Sequence, residues 1–569
     1  MKLSIVSSWA ITMPVVSAHV AQHRLALNTL AFDGKQQSNN PRCDLSPPVD
    51  PSRDGLVDSH QVFSWEKSIA TMIDRLQSVV RLPTVCYNDM GDFDEDERWE
   101  PFNKFADVLN NSYPKMQVIH VHDYTIPDIV NKFGLVYTFQ GSDKDLQPIL
   151  LTVHQDVVPV DEDTLGEWDY PPFGGHYDGR NGNLYGRGAA DDKSAITGLM
   201  SALEALLSQD DYNPRRTVIL AFGFDHECSG NRGAAEIAKH LEKQYGQDGI
   251  AVILDEGGAG LQQIDDVLYA LPAVYEKGYM DIWFNLTVPG GDSFAPPPHT
   301  AIGIMSEIVT TLEQSQFDPK VERNGPVHQG LTCFARYSPN AFPELTRSIV
   351  RGDLNGAARF LAKLSPETQY LVQTSESADL FTGGKRIDAL PEHVSLGVSH
   401  GLAPQDTVGS IEHGVVQLVQ NIVNKYNLRF EPFEDDGDYD DYLSSEGLTR
   451  QARQQGSSSG TLNVEAIRKY FPEAPAPTSG RVWDIFAGTV RYTWGRESPY
   501  VVPAPGVMTG NTDSRHYQNL CKNIYRWNPG TRKSIAHVHD TNERIPMGAQ
   551  LNMAKFYYDF IRNFDQADI

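Results

Sequence analysis

The sequence is poor in cysteine: Cys43, Cys86, Cys228, Cys333 and Cys521 stand far apart, with no Cys-x-x-Cys pair. They define neither a disulfide framework nor a thiolate zinc site. Basic charge is also scarce, 48 Lys and Arg against 74 Asp and Glu, for a net charge of −26. That deficit argues against holding nucleic acid or an anionic membrane surface by electrostatics. Long apolar runs are missing too. The one near the start, Leu3 to Val16, is broken by Ser7, Ser8 and Pro14, and at about 13 residues it is too short to span a bilayer. No internal repeat is present. What remains, 40% hydrophobic and 10% aromatic residues over 569 positions, describes an ordinary globular protein too long for one core, so two or more domains are expected.

The start of the chain, Met1-Lys2 followed by that apolar run and by Val16-Ser17-Ala18, has the spelling of a signal peptide cut after Ala18, with an uncleaved anchor as the alternative. A secretory destination follows, secreted or in a vacuole lumen, and the sequons at Asn110 and Asn285 would be usable there. Residues 19–60 are polar and carry Pro41, Pro47, Pro48 and Pro51; they read as a pro-segment or extended arm.

From Ser64 onward the pattern is α/β. Apolar residues at Ile69, Met72, Ile73, Leu76 and Val79 have helical spacing, and Phe102 to Leu109 suggests a second helix. Strands are expected at Gln117 to Val121, Leu135 to Phe139, Pro148 to Val153, Thr217 to Phe224 and Ile250 to Leu254, with a helix from Ala195 to Leu207 between them. Near Asp281 to Val288 apolar and polar residues alternate instead, as in a half-exposed antiparallel strand. Helices over Thr300 to Leu312 and Thr407 to Tyr426, with strand-like Leu371 to Thr374 and His393 to Val398, complete a smaller α+β domain inserted at 280–428. The acidic run at 431–442 and the Gln/Gly/Ser-rich 454–460 read as a solvated insertion, 429–462, since the run lacks the Gly and terminal Glu that a calcium loop needs. The α/β domain, begun at 61–279, resumes over 463–569. The fold class expected is therefore α/β: a mostly parallel sheet with an inserted α+β lid.

Chemistry collects at the ends of the strands. Leu150 to Val153 delivers His154 and Asp156, two positions apart and so on one side. A Gly-rich turn carries Asp191-Asp192-Lys193, Thr217 to Phe224 ends in Asp225-His226-Glu227, Ile250 to Leu254 ends in Asp255-Glu256, and His539 lies near the C-terminus. In a mostly parallel sheet such ends line one crevice. Two imidazoles and three carboxylates suit a pair of Zn²⁺ ions, with Mn²⁺ or Co²⁺ as alternatives, and such a pair polarises a carbonyl and acidifies water. Metal-assisted amide hydrolysis is the reaction class that follows. An HExxH zinc motif starting at His226 is excluded because position 230 is Gly.

The spellings His154-Gln155-Asp156-Val157-Val158-Pro159, Trp168-Asp169-Tyr170-Pro171-Pro172-Phe173 and Leu184 to Ser194 closely resemble the carboxypeptidase S branch of the aminoacylase-like dinuclear zinc peptidases. The likeness runs from about Ser64 to the C-terminus. It implies that Asp191 bridges two Zn²⁺ ions, with His154 and Asp255 or Glu256 (the first preferred) on one and Glu227 and His539 on the other. The His-x-x-Asn-Glu-Arg-Ile spelling selects His539 over His537. Asp156 would fix the tautomer of His154, and Arg515, in Gly510 to Tyr517, would grip a substrate carboxylate. The implied substrate is a small peptide or an N-acyl amino acid, with pairing of two subunits through the inserted domain.

Three positions depart from the family pattern. His226 stands where the family has its general-base Glu, Asp292 where it has a His that stabilises the oxyanion, and Asp388 where it has an Asn. An imidazole titrates near neutrality and can serve as a base. A carboxylate at 292 repels a developing oxyanion, and losing one donor there costs about 2.7–4 kcal/mol. With the ligand set kept and the proton-handling set altered, the alternative is a metal-binding relative that binds peptides or acyl amino acids without turning them over.

Overall fold

The computed structural model describes residues 41–569 apart from 117–126, 451–456, 472–473 and 536. The signal peptide expected at 1–18 and the strand expected at Gln117 to Val121 lie outside the described residues.

Four strands form the middle of the main sheet, Val218–Gly223, Ile149–His154, Val252–Ile264 and Ile524–Thr531 in that spatial order, all parallel to their neighbours. The first two are buried along their whole length. Helices on both faces explain why they read as continuous apolar runs. Antiparallel Gly134–Phe139 and Asp128–Val130 extend one edge, and further short strands around Ala273–Glu276 bring the sheet to ten. Helices Trp65–Val80, Lys193–Leu207, Arg481–Trp494 and Met547–Asp565 build the largest core on one face, with Leu151, Leu203, Trp527 and Phe556 inside it. Ala234–Tyr245 covers Val136, Leu150 and Ile219 on the other. The mostly parallel α/β sheet expected from the sequence is the one observed.

A second sheet of five strands runs in the order Ser375–Gly383, His393–Leu402, Gly278–Thr287, Gly460–Tyr470, Leu428–Pro432. Helices Ala301–Gln314 and Val408–Lys425 pack on it through Met305, Ile308, Val415 and Val419. Two expectations are corrected here. The stretch 429–462 is not simply a solvated insertion, because Leu428–Pro432 and Gly460–Tyr470 are paired strands and Gly437–Ser445 is a helix that buries Tyr439 and Leu443. Leu371 to Thr374 is not a strand; extended pairing starts at Ser375. Helices Pro326–Tyr337, Pro343–Arg351 and Leu354–Leu364 were not foreseen, being short and broken by Pro343 and Gly352, and they share a small core of Leu331, Leu345, Ile349 and Leu361.

Within the expected arm, residues 41–60 are tied to the rest of the chain. Cys43 is disulfide-bonded to Cys333, Val49 N–H donates to the Gly488 carbonyl at 3.0 Å, and Arg562 pairs with Asp54 at 2.6 Å. A second disulfide joins Cys86 to Cys228.

The arm is also tied to the C-terminal helix through Asp559, whose buried carboxylate accepts from Ser59 Oγ at 2.9 Å and Thr493 Oγ1 at 3.0 Å. Burial pushes its pKa up to about 7 from 3.8. The folded chain therefore binds this proton more tightly than the unfolded one, and stability from this group is full below about pH 4 and falls as the pH rises towards 7. Replacing Asp559→Asn should flatten that part of the pH–stability curve, measured by urea unfolding at pH 5 and pH 8. An unchanged slope would contradict a buried, protonated Asp559.

Candidate metal centre

The site lies where the parallel strands end. His154 is the last residue of Ile149–His154 and is buried. Its Nε2 lies 3.3 Å from Asp191 Oδ1, and its Nδ1 lies 3.0 Å from the carbonyl of Asp156 and 3.5 Å from that residue's Oδ1. The Asp156 carboxylate accepts from the backbone N–H groups of His226 at 3.1 Å and Glu227 at 2.9 Å. Asp156 thus orients the first imidazole and also pins the turn that carries Glu227. On the far side, His539 Nε2 lies 3.2 Å from Asp191 Oδ2 and 3.1 Å from Glu227 Oε1. Asp191 therefore offers one oxygen to each of two imidazoles, the arrangement of a carboxylate shared by two ions. His537 faces Asp540 of its own loop at 3.7 Å.

Glu543 holds this arrangement together, a role that its place in the His-x-x-Asn-Glu-Arg-Ile spelling did not disclose. It is fully buried, pairs with Arg187 at 2.6 Å, and accepts from the N–H groups of Ala190 at 2.9 Å and Asp191 at 3.2 Å. One carboxylate thereby fixes the Asp191 turn to the loop that supplies His539. The signal was in the sequence as an Arg187 and a Glu543 beside the two ligand loops; their partnership needed the fold.

The structure groups Glu256, and not the preferred Asp255, with the imidazoles: ligand atoms of His154, His226 and Glu256 lie within 4.8 Å of one another, as do those of His154, Asp191 and Glu227. Neighbouring strand residues point to opposite faces, so Asp255 turns away, and its Oδ2 accepts from Ser514 N–H at 2.9 Å. His226 stacks on His154 with ring centroids 4.2 Å apart. Its Nδ1 is 3.2 Å from Asp513 Oδ1 and its Nε2 3.8 Å from Glu256 Oε1. Arg515 donates to the Ser229 carbonyl and lies over the ring of Tyr470 at 5.0 Å. Asp292 and Asp388 are exposed: the first accepts from Phe294 N–H at 2.9 Å and the second pairs with Arg386. Among the described residues neither touches the ligand group.

The electrostatics of this crevice are those of a cation site. Burial pushes Glu256 up to about 8, Asp255 up to about 7, and Asp192 well above the usual carboxylate range. Asp192 Oδ2 is buried without a hydrogen-bond partner. Burial raises Asp191 too, but the His154 and His539 imidazoles hold it well below that range, and hydrogen bonds to the Asp191 and Glu227 carboxylates lift His539 to about 10. Buried acids at this density need positive charge, and mixed imidazole and carboxylate donors at these separations fit divalent metal ions.

Such a centre at the carboxyl end of a parallel sheet defines a metal-dependent hydrolase. Residues 150–563 match the model of peptidase family M20/M25/M40, and the chain belongs to that family. It is 36% identical over 541 residues to an uncharacterised carboxypeptidase of Schizosaccharomyces pombe, covering 93% of this chain and 86% of the relative. Carboxypeptidase S of Saccharomyces cerevisiae is 32% identical, with 94% and 90% covered. The N-fatty-acyl-amino acid synthase/hydrolase PM20D1 of Mus musculus is 29% identical, with 88% and 89% covered. Of solved structures, the M20 family metallo-carboxypeptidase Sso-CP2 from Sulfolobus solfataricus superposes with TM-score 0.55 at 16% identity, over 87% of this chain and 99% of that one. Human carnosine dipeptidase 1 does so with TM-score 0.57 at 13% identity, over 90% and 100%. Both share the fold.

Removing the charge of Glu543 by Glu543→Gln leaves Arg187 buried and unpaired and frees both ligand loops. Metal affinity should fall about 10–100-fold, read by competition with a chelating indicator; unchanged affinity would mean that Glu543 serves only the fold.

Proposed function

We propose that the protein is a dinuclear zinc carboxypeptidase that hydrolyses the amide bond of small peptides or N-acyl amino acids. The observation that carries this is Asp191, held between His154 and His539 with one oxygen towards each. His154, Asp191 and Glu256 would hold one ion and Asp191, Glu227 and His539 the other. When bound, the pair supplies Lewis acidity towards a carbonyl and a water. The protein's own contribution starts with Asp156, which fixes the His154 tautomer. His226 is the general base: Asp513 faces its Nδ1, which leaves Nε2 for a proton from the attacking water. The water oxygen ends on the carbonyl carbon as the C–N bond breaks, and the proton passes to the leaving amine. Arg515 grips the free carboxylate of the substrate.

The two disulfides support a secretory compartment. The exposed Leu380 and Phe381 on edge strand Ser375–Gly383 support subunit pairing there. A second reading, binding without turnover, is favoured by Asp292 and Asp388, since ionised carboxylates cannot donate to an oxyanion.

Elemental analysis with blocked dipeptides separates the readings. About two zinc ions per chain and hydrolysis abolished by chelator are expected; two ions without hydrolysis would establish the binding protein. His226→Ala should lower kcat about 10²–10⁴-fold with metal content unchanged. A kcat untouched by that change would remove His226 from proton transfer.

A further inference from the structure

We propose that the Cys86–Cys228 disulfide is a positioning element of the metal centre, holding Glu227 where it can serve as a ligand. The inference rests on the ligand set proposed above and adds two residues to those that support it.

Cys228 directly follows Glu227, in the one-turn helix His226–Cys228. That turn has little of its own to hold it. The N–H groups of Cys228, Ser229 and Gly230 all converge on the single carbonyl of Asp225, so no ladder of hydrogen bonds repeats along it. The residue before it provides no side-chain cap, and none of its three residues is fully buried. Glu227 is also under electrostatic pressure. Its carboxylate and that of Asp191 face the same His539 Nε2, at 3.1 and 3.2 Å, and two like charges held this close repel. A turn free to move would relieve that repulsion by swinging Glu227 towards water.

Two hydrogen bonds restrain the turn from one side, those from the His226 and Glu227 N–H groups to the Asp156 carboxylate. Because both end on one group, they leave a pivot. The disulfide fixes the turn at a further point, and its other end is rigid. Cys86 is 1% exposed and packs among Trp99, Phe102, Phe133 and Phe224. Its segment runs beside the loop after His154. There Thr84 Oγ1 donates to the Gln155 carbonyl at 2.7 Å, Val157 N–H to the Thr84 carbonyl at 2.9 Å, and Cys86 N–H to the Val157 carbonyl at 3.1 Å. The loop of His154 and the turn of Glu227 are thereby fastened to one segment, the second by a covalent bond. Arg232 reaches the same segment by donating to the Gly91 carbonyl at 2.7 Å, but through a long side chain five residues past Glu227.

The second disulfide supplies the contrast. Cys43–Cys333 ties the arm to helix Pro326–Tyr337, and neither cysteine neighbours a proposed ligand in the chain. The two bonds span 142 and 290 positions. Loop-closure entropy grows only with the logarithm of loop length, so removing either bond should lower the stability of the fold by a similar amount. A difference between them in metal binding is then local to the turn.

The test sets Cys86→Ala with Cys228→Ala beside Cys43→Ala with Cys333→Ala. Zinc affinity is read by competition with a chelating indicator, and amide hydrogen exchange across residues 225–230 is read in metal-stripped protein. In the first variant one of two zinc ions should bind about 10–100-fold more weakly and the turn should exchange faster. In the second both ions should bind as in the unchanged protein, with exchange of the turn unaltered, although thermal unfolding comes earlier in both. Equal zinc affinities in the two variants would overturn the proposal and leave the ligand reading intact. For a first variant that does not fold, the folded unchanged protein is reduced with a trialkylphosphine. Phosphorus attacks the half-buried Cys228 Sγ, the S–S bond breaks, and Cys86 leaves as a thiolate that takes a proton. Water then hydrolyses the phosphonium, releasing the Cys228 thiol and a phosphine oxide. Alkylation and mass spectrometry should show this bond opening before the buried Cys43–Cys333 bond, with one zinc ion lost as it opens. Both ions retained after opening would overturn the proposal. Fewer than two ions on the unchanged protein, with exchange quickened in the first variant alone, would keep the disulfide's hold on the turn and remove the ligand reading.

Discussion

Buried negative charge is the constraint on which this structure turns. Asp156, Asp191, Asp192, Asp255, Glu256 and Asp513 converge where four parallel strands end, and burial alone pushes Asp192, Asp255 and Glu256 towards their neutral forms. A fold can hold such a group only by supplying donors and cations. Backbone N–H groups serve Asp156 and Asp255, imidazoles serve Asp191 and Asp513, and what remains uncompensated is the charge that divalent ions would meet. The Arg187–Glu543 pair, itself buried, keeps the two outer loops in the geometry this requires.

The rest of the molecule can be ranked by its distance from that crevice. The main sheet fixes where His154, Glu227 and Glu256 emerge, and its helices make those strand ends rigid. Asp292, in a separate two-stranded sheet of Gly291–Asp292 with Ala389–Leu390, and Asp388 beside it stand in the open. The short helices between residues 326 and 364 close an apolar cavity against the sheet edge. The ligand-type residues and the apolar cavity thus come from different parts of one chain.

Much of this was legible in the order of residues. Ile149–His154 and Val218–Gly223 announce themselves because a strand buried on both faces must be apolar throughout, and Gly278–Thr287 because one face only is buried. His154, Asp191, Glu227 and His539 were legible because each follows such a strand or a spelled loop. The helices between 326 and 364 were not, since breaks at Pro343 and Gly352 keep each below the length at which periodicity stands out. The strands flanking the acidic run at 431–442 were hidden by its charge, which local composition assigns to solvent.

By itself the sequence determined which side chains can reach the centre, because strand polarity and period place ligand types at the carboxyl ends whatever the rest of the chain does. Only the tertiary structure grouped Glu256 with His154 and His226 and turned Asp255 to the Ser514 N–H, a difference in facing that spacing cannot give. It alone also paired Arg187 with Glu543 across 356 positions and enclosed the cavity against Gly258, since both depend on contacts between segments that share no local pattern.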